Sequence, residues 1–482
     1  MSVPYPANPY PRAHPDRLQV IAALYGARPT PVEDSVVLEL GCGSGGQLIP
    51  MAQQLPSTRF IGLDIDSQAI AEAQEKSKTL ELNNVEWLCV SVADWHPPRV
   101  DYIIAHGLFS WVPDEIRSAV WKCASQALKD HGVFFLSHVC QPGASLRSMA
   151  RAVMLSAHDA SHSEEQNVRA GIAALEKTVE MHGEDSVLGR AYLNTLNAVK
   201  AQHWGYVWHD FWVAGYKAFS IKEVNAMAIQ NDIQYLQDSD LKANLPLGVP
   251  TWLAAKVKKT SNLIDAASVL DIHMGRSFRR GLWVRNSQVL KLSLAEMDHM
   301  FLRPQFTRHE TDEGVLLVTE TGEQLGFRGA LASELTAEML TMPEMAIELL
   351  LSGHPDQTRQ WLFSLFVAGA ISLSVRPRTQ NLPNQGTLRG NQTVVNAFHE
   401  PVTLSHFDAA LINALQSGHR GLALVQELIL SAQRGDFEAR MDGHTPQSQA
   451  EWNQVIQGVL PARIQKLWHR GLWASPHIFG GA

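Results

Sequence analysis

Only four cysteines occur in 482 residues, Cys42, Cys89, Cys123 and Cys140, and no two of them stand in a C-x-x-C spacing. That scarcity excludes a disulfide framework and a thiolate zinc site as organising features. The four are expected to be small apolar thiols in a reducing compartment. His158 and His162 have i, i+4 spacing without an evident third ligand, so they are assigned to the surface and no metal is expected. No apolar run approaches the length of a membrane span. Met1–Pro15 carries five prolines and no apolar stretch, which is unlike a secretion signal, and a cytoplasmic address is expected. Charge of neither sign dominates: Lys and Arg number 40 against 48 Asp and Glu, a net charge of −8. That balance argues against general affinity for nucleic acid or an anionic membrane. What the chain has instead is 45% hydrophobic and 18% charged residues, a globular composition. Its length suggests about three domains.

The most informative segment is Val36-Val37-Leu38-Glu39-Leu40-Gly41-Cys42-Gly43-Ser44-Gly45-Gly46. It reads as a buried strand entering a glycine-rich turn, and a second strand ends in an acid at Asp64, followed by Ile65. Glycines let a backbone approach a ligand closely, and the next helix start offers free N–H groups. An acid about twenty residues on accepts from ribose hydroxyls. Gly41, Gly43 and Gly46 also satisfy the dinucleotide pattern. Three details favour S-adenosylmethionine over a nicotinamide. Glu39 aims a carboxylate at the turn, which repels a pyrophosphate and suits an ammonium. A third strand, Glu86 to Val92, leads to Asp94 and Trp95, placed to accept from an adenine amino group and to cover the ring. A fourth, Asp101 to Ala105, ends at His106-Gly107, where ligands lie beside a parallel sheet. Glu39, Gly41, Gly43, Gly45, Asp64, Ile65, Asp94, Trp95 and His106 are therefore the candidate cofactor-binding residues.

Along residues 17–140 helix and strand patterns alternate: helices at Pro15–Tyr25, near Gly46–Leu55 and at Ser67–Leu80, strands at Phe60–Leu63 and Val133–Ser137. This is the alternation of a doubly wound α/β sheet. Residues 1–144 form its core. Residues 145–216 lose the strand signal and read as a helical insertion, a lid or a dimerising segment. In 217–300, Ile221–Gln230 reads as a helix, and Ile233–Leu236 and Ser277–Val284 as strands that would return to complete the sheet. Beyond that, Val315–Val318 and Gln324–Phe327 suggest a β pair. Two similar units then end in an apolar helix, a glycine and a short apolar strand, at Gln360–Ala370 and at Gln465–Leu472. Asn381–Gly386 is the loop between them. The pair, 301–380 and 381–482, resembles tandem winged-helix modules. From Thr307 to Ala482 there are 12 Lys and Arg against 17 Asp and Glu, so protein contact or bracing is expected in place of specific nucleic-acid binding.

The run Asp101-Tyr102-Ile103-Ile104-Ala105-His106-Gly107-Leu108-Phe109-Ser110-Trp111-Val112-Pro113, with the glycine turn and Pro15, resembles class I methyltransferases that carry a methyltransferase regulatory domain. These include rickettsial protein-lysine methyltransferases. His209-Asp210, Ile233–Leu236 and Arg276–Arg280 match more loosely. The likeness covers residues 5–290 well and the rest weakly. It implies a seven-stranded S-adenosylmethionine-binding fold, an inserted segment, and an acceptor that is a protein side chain, lysine by resemblance. One departure stands out. Those lysine enzymes carry Tyr-Asn after the fifth strand, then Pro-Gly-Trp, whereas here the chain reads Ser137-His138-Val139-Cys140-Gln141-Pro142-Gly143-Ala144. Lysine acceptance draws on an aromatic or carbonyl-lined channel, so its loss bears on specificity and leaves cofactor binding untouched.

Methyl transfer needs an aligned pair and the management of one proton. His106 and His138, each at a strand end, are the candidate catalytic bases, set against ordinary turn or core histidines. Phe109, Trp111 and Trp208 are the candidate channel walls. Trp204, Trp208 and Trp212 fall on one helix face; a stripe packed between insertion and sheet competes there with an aromatic lid. Arg276, Arg279 and Arg280 would bind an acidic substrate or form a solvated strand face. Three functions follow: methylation of protein side chains, methylation of a small molecule, or a cofactor-binding scaffold that acts through its C-terminal modules. A homodimer fits any of them.

Overall fold

The computed structural model describes residues 9–377 except 320 and 343, together with 393–395, 401–417, 421–434, 436–437, 446 and 448–469. Contacts divide the chain near Ser293 into two units. In the first, seven strands form one sheet: β1 (Val36–Leu40), β2 (Arg59–Asp64), β3 (Val85–Cys89), β4 (Val100–Ala105), β5 (Leu128–Val139), β6 (Ile233–Asp238) and β7 (Phe278–Arg285). Their order is β3-β2-β1-β4-β5-β7-β6. β7 runs antiparallel to both β5 and β6, and the remaining pairs are parallel. The two late strands thus complete the first sheet, as their apolar alternation suggests.

Eleven helices accompany this sheet: α1 (Pro15–Leu24), α2 (Leu48–Gln54), α3 (Ser67–Thr79), α4 (Asp114–Ala127), α5 (Ser145–Leu155), α6 (Glu164–His182), α7 (Val187–Lys200), α8 (Trp204–Phe211), α9 (Ile221–Ile229), α10 (Thr251–Lys258) and α11 (Leu263–Met274). Local chemistry sets their ends. Pro15 occupies the first turn of α1, where a missing N–H costs nothing. Asp66 caps α3 by accepting from the Gln68 and Ala69 amides, at 2.9 and 3.2 Å. Ser220 and Glu223 cap α9 reciprocally. Leu38, Ile61, Ile103, Phe134 and Leu136 face Trp121 of α4, Val224 and Ala228 of α9, and Ala267 of α11. Trp121 meets Trp283 edge-on with centroids 5.3 Å apart, so truncating it to Ala is expected to cost about 3–5 kcal/mol.

The insertion has a core of its own. Ala150, Met154, Val168, Leu175, Leu196, Val207 and Phe211 pack together, and Trp204, Trp208 and Trp212 lie half-buried against them. Trp208 and Trp212 stack at 5.5 Å, and Trp212 abuts Gly171 of α6. The indole stripe therefore closes the insertion on itself and does not rest on the sheet. Four amphipathic helices can satisfy one another, a solution that periodicity alone does not reveal.

The second unit begins at Leu294. β8 (Phe301–Pro304) is flanked by β12 (Met345–Ala346) and β13 (Ile371–Ser374), while β9 (Phe306–Thr311), β10 (Gly314–Thr319) and β11 (Gln324–Arg328) form an antiparallel meander. α12 (Ala330–Met339) follows the meander, and α13 (Pro355–Ala368) ends at Gly369 in a left-handed cap before β13. The helix-glycine-strand pattern of the first C-terminal unit is thus present. Further on, β14 (Thr393–Val395) pairs with β15 (Pro401–Thr403), and α14 (His406–Gln416), α15 (Gly421–Gln433) and α16 (Gln449–His469) share an apolar cluster. The inter-unit loop Asn381–Gly386 and the Gly471-Leu472 end of the second pattern lie outside the described residues.

Candidate active site

The carboxyl ends of β1, β2 and β4 meet around the glycine turn. Gly41 and Cys42 donate their amides to the Leu63 carbonyl at 2.8 and 3.1 Å, which pins the turn to β2. Asp64 accepts from the Gly43 amide at 2.8 Å and from the Asp66 amide at 2.9 Å. One carboxylate thus fixes both the turn and the start of the loop to α3, with roughly two of its four lone-pair directions still unused. Gly43 has φ +51 and Gly45 φ +76. A Cβ on Gly43 would meet nothing within 4 Å, and the same is true of Gly107 after β4, so both backbones border open space.

Glu39 is the unusual group. Strand pairing places it opposite Gly62 on β2 and Ile104 on β4. Its side chain is 4% exposed and its Oε2 has no hydrogen-bond partner. Burial, with Asp64 adding to it, pushes its carboxyl well above the usual range. A buried, unpaired carboxylate beside glycines that border open space suits a ligand bringing an ammonium group to this point. Trp87 backs the turn: its ring lies where a Cβ on Gly45 or Gly62 would fall, at 2.6 and 2.5 Å. Its Nε1 donates to Ser77 at 2.9 Å. Sequence reading missed Trp87, although a lone glycine inside the β2 pattern signals such a close approach.

Other expected positions are distributed differently. β3 stops at Cys89, so Asp94 lies past the strand in a turn closed by its amide to the Ser91 carbonyl at 3.0 Å, and it is exposed. Trp95 packs half-buried against the sheet core. Ile65 is 74% exposed beside Asp64, an apolar surface open to a ligand. Phe109, expected to wall a channel, is instead fully buried between Trp121 and Phe219, with centroids 6.1 and 5.3 Å away. Trp111 is half-buried with its Nε1 unpartnered. Trp208, the third channel candidate, belongs to the insertion core.

The comparisons with known proteins agree with this geometry. Residues 37–132 match a family described as a methyltransferase domain, and residues 204–285 match one described as a predicted methyltransferase regulatory domain. The fold matches that of PKMT2 from Rickettsia typhi, solved in complex with AdoHcy, with a TM-score of 0.83 at 16% identity, over 98% of this chain and 100% of that one. An uncharacterized Rickettsia prowazekii protein, RP789, is 23% identical over 98% of this chain and 92% of its own length. A trans-aconitate 2-methyltransferase of Azoarcus is 30% identical over 17% of this chain and 32% of its own. This chain is a methyltransferase. Its sheet has the class I methyltransferase arrangement, and the regulatory segment spans the end of the insertion and the last two strands.

In this methyltransferase the two candidate bases occupy opposite faces. Register pairs Ala105 with Leu136 across β4 and β5, so His106 falls beside Ser137 and away from Leu136 and His138. His106 Nδ1 lies 3.0 Å from Ser137 Oγ, and its ring meets Phe135 and Phe278 edge-on. Burial, reinforced by Arg280, lowers it to about 4. His138 is fully buried beside its strand partner Arg279, and both its ring nitrogens lack partners. Burial, then Arg279, lowers it to about 3. It shares the face of the methyltransferase's apolar core and not that of Glu39. Nor does Arg279 form a solvated face or await an acid. It is 0% exposed and grips Asp271 with two bonds of 2.7 and 2.8 Å, reaching Asn244 at 2.9 Å and Tyr235 at 3.1 Å. Arg276 likewise donates to Asp271, at 2.9 Å.

The insertion enters and leaves at this edge of the methyltransferase. The Lys217 amide donates to the Ser110 carbonyl at 2.8 Å, and the Phe219 amide to Val139 at 2.9 Å. Gly215 lies against the backbone of Trp111 and Val112, where any Cβ would clash at 2.7 Å. Arg117, buried in α4, donates to the Phe109 carbonyl at 2.9 Å and to that of Gly215. The loop after β4 is thereby fastened to the returning end of the insertion.

Proposed function

We propose that this enzyme methylates protein side chains, with S-adenosylmethionine held between Glu39, the turn Gly41–Gly45 and Asp64. The observation that carries the cofactor placement is Glu39, 4% exposed with an unpartnered oxygen, on the strand that runs into the glycine turn. Glu39 takes the ammonium of the methionine moiety, and Asp64 takes ribose hydroxyls with the lone pairs that the Gly43 and Asp66 amides leave unused. Ile65 gives an apolar contact for the purine. When bound, the cofactor supplies an electrophilic methyl on a sulfonium. The chain's own part is to orient and to exclude water, because an in-line displacement gains most from alignment.

A protein acceptor is supported by the resemblance to rickettsial protein-lysine methyltransferases and by the likeness to PKMT2 over 98% of this chain. Lysine is the acceptor atom's source by that resemblance, reached without the Tyr-Asn pair, since Ser137 and His138 stand there. Transfer of labelled methyl from S-adenosylmethionine, followed by acid precipitation and gel separation, tests the reading. Label in a protein band that is lost in Asp64→Ala supports it. Label only in the acid-soluble fraction identifies a small-molecule acceptor instead, and no transfer to either fraction would leave the scaffold reading.

A further inference from the structure

We propose that Glu39 holds a proton while the ligand site is empty and gives it up when the ammonium of S-adenosylmethionine arrives, so that uptake of the cofactor releases one proton to solvent. This rests on the reading that Glu39 receives that ammonium. Register sets Glu39 between Gly62 of β2 and Ile104 of β4, closed off from water. No hydrogen bond to its carboxyl is present among the described residues, and the enclosed Oε2 has no partner. A charge placed there has neither water nor an N–H to spread into. The groups on the bordering elements do not relieve it. Asp64 stands two residues beyond Gly62, so the pleat puts it on the same face as Glu39, where a second negative charge is opposed. His106, two beyond Ile104, is neutral near pH 7, since burial and then Arg280 lower it to about 4. Cys42 in the turn stays a thiol, raised by burial and then by Glu39 and Asp64. Lys76 of α3 reaches only Ser44 Oγ, at 3.4 Å, with its side chain in solvent. Burial first, and Asp64 second, therefore keep the proton on Glu39.

An ammonium supplies what the empty site lacks, a positive charge and three N–H donors. Beside it the carboxylate becomes the stable form. The proton balance closes without any covalent change: a neutral acid and a cationic ligand give an ion pair and one proton in bulk water. An empty site thus carries no buried charge, and a filled one carries a paired charge. Affinity rises with pH as long as the empty-site carboxyl is protonated, and levels off once it ionises unaided. A ligand without the ammonium, such as 5′-methylthioadenosine, leaves the proton where it is.

Calorimetric titration of the full chain with S-adenosylhomocysteine near pH 7, in phosphate and again in Tris, reads the proton directly. The heats should differ by the difference in buffer ionisation heat for about one proton per site, and 5′-methylthioadenosine should show no such difference. Binding with no buffer effect overturns the proposal and leaves the cofactor placement standing. Absence of binding removes that placement and the proton with it. Between about pH 5.5 and pH 7, where the ligand's amine stays charged, the parent's affinity should tighten by up to about tenfold per pH unit. Glu39→Gln, which copies the protonated acid, should bind with no such slope; equal slopes in the two proteins would trace the proton to another group. Stability gives a readout without ligand. The folded carboxyl keeps its proton to higher pH than the unfolded chain does, so the resulting stabilisation is whole below about pH 4.3 and is lost as pH rises through the folded value. Glu39→Gln should lack that loss, and stabilities of parent and variant that run parallel with pH would refute the proposal.

Discussion

Replacing Asp64 by Asn tests the cofactor assignment most directly. Asp64 accepts from the Gly43 amide with Oδ2 at 2.8 Å and from the Asp66 amide with Oδ1 at 2.9 Å. Asn keeps the size but can accept with only one of its two ends, so whichever way it turns an NH2 faces a backbone N–H. The turn therefore loses one hold, and ribose hydroxyls lose a carboxylate acceptor. A hydrogen bond to a charged group contributes about 1.5–3 kcal/mol. At 1.4 kcal/mol per factor of ten, that is a roughly 10- to 150-fold weaker Kd for S-adenosylhomocysteine. Calorimetric titration of the full chain reads it, with a thermal melt to confirm that the variant is folded. Affinity within twofold of the parent, or tighter binding of NAD by the parent protein, would refute the placement of the ligand and with it the role of Glu39.

Gly62→Ala puts a Cβ 2.5 Å from the Trp87 ring and is expected to cost about 1–3 kcal/mol of stability by urea unfolding. Trp208→Ala removes a half-buried indole stacked on Trp212, so hydrogen exchange should rise in α5–α8, with about 1–3 kcal/mol lost locally and cofactor affinity unchanged. His138 bears on acid stability. It is lowered from 6.5 to about 3 when folded, so as pH falls below 6.5 the unfolded chain takes up a proton that the folded chain refuses. Stability then declines by about 1.4 kcal/mol per pH unit from this group. His138→Leu should remove that slope, gaining about 2 kcal/mol over the parent at pH 5 relative to pH 7. Equal differences at both pH values would show that the histidine does not titrate this way.

What the sequence made legible was periodic and local. The glycine turn, the acids at Glu39 and Asp64, and the two late strands came from patterns of two residues and from turn chemistry, which neighbours in the chain determine. α1 and α3 were placed to within a residue at each end, because Pro15, Asp66 and the basic last turn of α3 mark their limits. The errors arose where a side chain had a choice of surfaces. The Trp204, Trp208 and Trp212 stripe showed that one face is apolar but not which partner covers it. Phe109 has the composition of a channel wall, yet Trp121 and Phe219 draw it into the core. His138 follows His106 on the next strand, and only register reveals that the pleat turns the two away from each other. β3 ended early because Ser91–Asp94 makes a turn, leaving Asp94 beyond the sheet.

The narrow attachment of the four-helix insertion has an evolutionary consequence. Its two ends lie side by side, since Cys140 bridges to Phe219 and the Gln141 amide donates to the Phe219 carbonyl at 3.1 Å. A segment held at so slender a stalk, and packed on its own apolar residues, can be lengthened, trimmed or exchanged with little effect on the domain that carries it. Glu39, Gly43 and Asp64 lie on other strands and turns, and among the described residues no bond to the insertion fixes them. Drift in the inserted helices can therefore alter what arrives at the ends of β4 and β5 while the donor grip stays constant. Descendants of one such ancestor would be expected to share a cofactor and to differ in what they modify.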